Sequence, residues 1–200
     1  DIAIIAGKLG VAKDDIVGFT EATDKLNVAL GGELGAIDQM TEKMGKIINA
    51  YKGAGEISEE NILKIGNGIV ELANSGVATG NYLIDFTRRL AGIAGTAKLG
   101  LGDVMGLAAG FEEMGQNVEV SATAVTNILT KIGSDTAKFA IFAGMSSKNF
   151  ADLINDKPIE ALLALAKGLQ NNKQGFADIA EAFADSEIGA NRVVAVMGVL

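Results

Sequence analysis

The run DFTRRLAGIAGTAKLGLGDVMGLAAGFEEMG, from Asp85 to Gly115, carries seven glycines and still keeps helical spacing. Leu83, Phe86, Leu90, Ile93 and Ala97 fall three or four residues apart, and so do Val104, Leu107, Phe111 and Met114. Apolar residues at that interval line one face of a helix. Each glycine inside a helix costs about 1 kcal/mol relative to alanine. The stretch therefore reads as two amphipathic helices that give up intrinsic stability.

The same pattern extends in both directions. Ile62, Ile65, Ile69 and Leu72 form one apolar stripe, and Val125, Ile128, Leu129 and Ile132 form another. Ile159, Leu162, Leu163, Ala166 and Leu169 form a third, and all three are expected to face a shared core. Helix starts are expected after Gly10, around Glu33, at Ser58, Thr79, Gly102, Asn117 and Ser146, near Lys157, and around Gly189. Ser58 precedes two glutamates, which suit a helix N-terminus through capping and the dipole. Pro158 sits at a first helical position with Glu160 two residues on, and Ser146 can cap the helix carrying Phe150, Leu153 and Ile154. Alternating β-branched and polar residues are scarce. These signals predict an all-α fold, an irregular bundle of roughly eight to ten short-to-medium helices over residues 1–200.

Composition removes several function classes. The chain has no cysteine, histidine or tryptophan, and Pro158 is its single proline. Nucleophile–histidine pairs, disulfides and nearly all zinc sites are therefore closed to it. Neither a GxxxxGK[ST] loop nor a GxGxxG fingerprint after a strand is present, so no cofactor is expected. A net charge of −8 argues against nucleic-acid binding by phosphate neutralisation. The longest uncharged run, Leu72 to Ile84, is thirteen residues and carries several polar groups, whereas a spanning helix needs about 20 apolar ones. Carboxylate chemistry stays open in principle. However, Asp14-Asp15 and Glu59-Glu60 lie where helix dipoles favour acids, and Glu112-Glu113 ends an apolar stripe where a solvated face is expected. No catalytic residue or metal ligand is assigned. Because the sequence opens at Asp1 and closes in VVAVMGVL, it reads as a piece of a longer chain, with at least one end cut inside structured sequence.

Two features invite a structural reading. Arg88-Arg89 lies beside Asp85, which predicts a local ion pair from Asp85 to Arg89, or else a contact to an acidic partner or another copy. Gly102, Gly106 and Gly110 mark one helix face, where close helix approach within the fold or in an oligomer is expected. A loose repeat also appears. Gly10-Val11, Gly76-Val77, Gly100-Leu101 and Gly144-Met145 each precede two apolar residues three apart. It predicts a left-handed glycine ending a helix, with the next residue packing back onto it.

Asp85-Phe86-Thr87-Arg88-Arg89-Leu90-Ala91-Gly92-Ile93-Ala94-Gly95, followed by Gly102-Asp103-Val104-Met105-Gly106-Leu107-Ala108-Ala109, resembles the core of phage tail tape measure proteins, and more narrowly a minor-tail-protein region of phages and prophages. Asp14-Asp15-Ile16 with Phe19-Thr20-Glu21 resembles the opening motif. Ile69 to Asn74, Pro158 to Leu163, and Asn191 to Val194 follow in the same order. The pattern departs at Lys98, which interrupts the Gly/Ala run, and at Gly18, which replaces a better helix former. The resemblance implies a structural, non-enzymatic protein that threads the tail lumen, sets tail length and is expelled at infection, with this region flanked by further helical or coiled-coil sequence. Implied partners are the tail tube protein, tail assembly chaperones, tip or baseplate proteins and other copies of itself, with host membrane contact on ejection. It would be found in the virion tail lumen and, during assembly, in the host cytoplasm. The residues carrying its structural motif are Phe86, Arg88, Arg89, Leu90, Gly92, Ala94, Gly95, Gly102, Gly106 and Gly110. A membrane-active helical domain and a carboxylate-based cell-wall hydrolase are the alternatives.

Gly18, Gly35, Gly45, Gly66, Gly68, Gly92, Gly95, Gly106 and Gly110 all fall inside expected helices. At about 1 kcal/mol each they forfeit roughly 9 kcal/mol, comparable with a domain's net stability of about 5–15 kcal/mol. Such helices would open and rearrange readily unless close packing recovers the loss.

Overall fold

The computed structural model describes residues 2–32, 36–52, 57–76, 78–172, 174–184 and 190–200. Among the described residues every regular element is helical: twelve α-helices, one 3-10 turn and no strand. They are α1 (Ile2–Leu9), α2 (Ile16–Ala29), α3 (Ile37–Tyr51), α4 (Glu59–Ser75), α5 (Gly80–Ala94) and α6 (Leu101–Glu113). After these come α7 (Val118–Ser134), α8 (Thr136–Phe142), α9 (Ser147–Asp156), α10 (Pro158–Gln170), α11 (Gly175–Ala182) and α12 (Ala190–Val199).

Side-chain caps set the starts where the sequence signals them. The hydroxyls of Ser58, Thr79 and Ser146 accept from the backbone N–H three residues on, at 3.2–3.3 Å. Asn117 Oδ1 accepts from both Glu119 and Val120 N–H. Pro158 occupies the first turn of α10, where its missing N–H costs no helix bond. Two starts shift: α6 begins at Leu101, capped by Gly100, and the segment after Gly10 passes through the 3-10 turn Lys13–Asp15 before α2. The expected starts at Glu33 and Gly189, with Gly35 and Val77, lie outside the described residues.

Three helices exceed the sequence expectation. α8 follows α7 after one residue, Asp135, whose side chain caps α8 through Lys138 N–H while its own N–H bonds back to α7. α11 starts from Gln174 with no side-chain cap of its own; its local signal is Asn172, whose Oδ1 accepts from Gln174 N–H at 3.1 Å. α1 opens the chain.

The helix ends partly correct the repeat. Gly10, Gly31, Gly115 and Gly144 have φ between +67° and +85°, and each is followed by an N–H reaching the carbonyl five residues back. This is the paired-bond C-terminal cap that glycine makes without strain. Gly76 and Gly100 instead have negative φ, at the end of α4 and the start of α6. After α5 the left-handed position falls on Lys98, φ +50°, with Leu99 N–H bonding Ala94 O at 2.9 Å. For a residue with a Cβ that conformation costs about 1–2 kcal/mol.

α5 is the central strut, packed against α3, α6 and α7. On one side α1 and α3, and α2 and α4, pack pairwise; on the other, α8, α9 and α10 lie together and α12 closes against α7 and α11. Phe19, Phe86, Phe111, Phe139, Phe150 and Phe183 are fully buried along this length. The three stripes face the core as expected, with corrections at single residues. Leu72 is half-buried, and Leu163 and Met114 face outward at 42% and 60% exposure.

Candidate interaction surface

The motif residues on α5 and α6 separate into three sets. Phe86, Leu90 and Ala94 are buried at the α5–α6 contact, where the Phe86 and Phe111 ring centroids lie 5.7 Å apart. Tyr82 stacks on Phe86 at 6.3 Å, and its hydroxyl meets Ser121 Oγ of α7 at 2.9 Å. Burial raises the Tyr82 hydroxyl above the ordinary tyrosine pKa, partly offset by the Ser121 hydrogen bond. This set holds the framework together.

The arginines form the second set, and here the expected pair is wrong. Asp85 Oδ1 lies 3.1 Å from Lys43 Nζ of α3 and 3.7 Å from Arg88 Nε. Arg89 reaches Glu119 of α7 instead, at 3.9 Å. Residues three and four apart are both neighbours on a helix, and Lys43 draws the carboxylate to the Arg88 side. Arg89 thus joins α5 to α7 and Lys43 joins α3 to α5, while Arg88 pairs within α5; this part-exposed geometry is worth about 0–1 kcal/mol per pair.

The third set is the glycines. Gly92 on α5, Gly95, which follows the last residue of α5 rather than falling inside the helix as expected, and Gly102, Gly106 and Gly110 on α6 are exposed, and a Cβ built on any of them meets no atom of the described residues within 4 Å. The expected close approach inside the fold is therefore absent along this face. Elsewhere it is real. A Cβ at Gly18 would strike Glu59, one at Gly45 would strike Leu9, and one at Gly66 would lie 2.9 Å from Leu26 Cδ2. At Gly168 it would run into the backbone of Phe142 and Ala143.

The glycines of α6 floor a groove of about 440 Å³ between α6, α10 and the end of α12. Met114, Leu163 and Leu200 give it apolar walls, and Asp103 and Glu160 give it negative charge without a lining cation. Leu163 escaped the sequence reading because it was placed in the same stripe as Leu162. Adjacent residues on a helix point about 100° apart, and that spacing is the signal that would have separated them.

The carboxylate candidates are structural where their contacts are seen. Glu112 accepts from Thr79 N–H at 2.7 Å and from the Thr79 hydroxyl at 2.8 Å, tying α6 to the start of α5. Glu59 and Glu60 sit in the first turn of α4, and Asp14 and Asp15 in the 3-10 turn. Among the described residues no acidic cluster could hold a metal ion, and no helix is long and apolar enough to cross a membrane.

No curated protein and no solved structure matches the chain significantly. The model of a family described as phage-related minor tail protein matches residues 1–186, and the chain belongs to that family.

Proposed function

We propose that this chain is the folded helical region of a tape measure protein, a structural component of the tail that sets tail length and is expelled at infection. The role is one of assembly and rearrangement, without catalysis. The observation that carries it is the open glycine set: Gly92, Gly106 and Gly110 weaken α5 and α6 from inside and Gly95 follows the end of α5, yet an added Cβ at any of them would meet nothing among the described residues, so close packing gives no reason for the glycine. Helices made this way are loosely held and carry a bare face. The tail tube protein, assembly chaperones, tip or baseplate proteins, or another copy of the chain would cover that face during assembly. A compact domain of 200 residues has a radius of gyration of roughly 16–17 Å. Passing it along a narrow lumen requires the helices to come apart.

The reading is tested in the full-length phage or prophage gene. A continuous helix of 200 residues would span roughly 300 Å at 1.5 Å per residue. Deleting this region should shorten tails by much less than that, because it is folded rather than stretched, while shortening its helical flanks should shorten them in proportion. Tails of unchanged length after every such deletion would refute a tape measure role. Alanine at the four open glycines should leave tail length intact and lower DNA delivery.

A further inference from the structure

Lys98 stands where this chain otherwise puts glycine. Four other helix ends with the same hydrogen-bond pattern use Gly10, Gly31, Gly115 and Gly144. A lysine offsetting the α5 dipole could occupy Thr96 or Ala97 with ordinary backbone angles. The cap accounts for the left-handed backbone but not for a lysine in place of glycine. A side chain kept in an unfavourable backbone region points to a use for that side chain.

Its surroundings indicate the use. Lys98 lines a cavity of about 540 Å³ between the end of α5, α7, α9 and the start of α10. That volume lies within the range of small-molecule sites, about 300–1,000 Å³. Ile93, Leu129, Ile154 and Pro158 supply apolar walls, and no acidic residue lines the cavity in a chain of net charge −8. Lys98 is exposed and makes no ion pair with any described residue. The Thr96 hydroxyl, on the same wall, has no hydrogen bond among the described residues. Asn155 spends one amide hydrogen on Ala151 O at 3.0 Å and keeps the other. The N-terminus of α10 opens at Pro158 on the cavity wall and adds partial positive charge. One cation and two spare donors thus stand over an apolar pocket.

We infer that this cavity binds an amphipathic carboxylate, its acid group held by Lys98, Thr96 and Asn155 and its alkyl body seated against Ile93, Leu129 and Ile154. The site is independent of the tape measure reading. Calorimetric titration with octanoate should show one saturable site per chain. Lys98→Gly should weaken binding by about tenfold or more, the scale of losing one charge-assisted hydrogen bond, while raising the urea midpoint by relieving the left-handed strain. Lys98→Arg keeps the charge and should bind within about threefold of the parent, a difference of well under one hydrogen bond. Gly133 also lines the cavity with free space around its Cβ position, so Gly133→Leu should block the site in a chain that still unfolds cooperatively. Absence of saturable octanoate binding overturns the assignment. So does undiminished binding by Lys98→Gly, or equal binding of uncharged 1-octanol.

Discussion

Gly18 and Lys98 break the motif pattern of the sequence, and the structure gives a packing cause for the first and a distinct backbone position for the second. Gly18 lets α2 lie against Glu59 at the start of α4, where a methyl would collide with that side chain. Lys98 takes the one left-handed position that the described residues give to a side chain. The helical glycines likewise fall into two groups that no sequence rule separates. Gly92, Gly106 and Gly110 inside helices, and Gly95 just after α5, have open space at the Cβ position, so each alanine substitution should raise stability, by about 0.5–1 kcal/mol at the three helical sites. Gly168 faces the backbone of Phe142 and Ala143, so Gly168→Ala should cost about 1–3 kcal/mol by overpacking. Urea midpoints measured with a common m-value decide both. Sharp falls at the four open sites would overturn the view that these helices are loosely held.

At the scale of the element, starts were more legible than ends. Ser58, Thr79, Asn117, Ser146 and Pro158 each do at the helix N-terminus what their chemistry predicts. α5 carries one addition from afar, since Glu112 of α6 grips both the backbone and the hydroxyl of its cap, Thr79. This is a charge-assisted cap between consecutive helices. Glu112→Ala and Thr79→Ala should each cost about 1 kcal/mol. The double variant should cost less than their sum, because the bond from the Thr79 hydroxyl to Glu112 is lost in both, whereas the bond from Thr79 N–H is lost only with Glu112. Strict additivity in a double-mutant cycle would show that the hydroxyl–carboxylate bond contributes nothing to the cap. Ends were harder because glycine serves two purposes in this chain. It takes positive φ at Gly10 and Gly144 and ordinary angles at Gly76 and Gly100, and the same Gly–apolar dipeptide occurs in all four.

At the scale of the molecule, the first helices meet the rest through α5. Tyr51 at the end of α3 donates to Thr87 O of α5 at 3.0 Å, beside the Lys43–Asp85 pair. Burial raises the Tyr51 hydroxyl far above its ordinary pKa, and Tyr82 shifts in the same direction. The unfolded chain would lose these protons near pH 10 while the folded chain keeps them. Stability held below that pH should therefore fall as pH rises above about 10. The chain has two tyrosines and no tryptophan, so tyrosinate absorbance reports them directly. It should appear with unfolding rather than before it. Tyr51→Phe should lose about 0.5–1.5 kcal/mol at neutral pH and then decline less steeply in alkali. An early, ordinary tyrosine titration in the folded protein would contradict this account of the α3–α5 junction.

Local chemistry alone determined that the regular elements among the described residues are helices, where most of them begin, and which residues such as Phe86, Leu90, Val125 and Ile128 enter the core. Periodicity and capping act within a few residues of chain, so one strand of text suffices to read them. Which partner Asp85 takes, which glycines are pressed and which stand open, and where the two cavities lie were decided only by the tertiary structure. Those outcomes depend on side chains far apart in sequence, such as Lys43 beside Asp85 and Leu163 across from Gly106, that packing alone brings together.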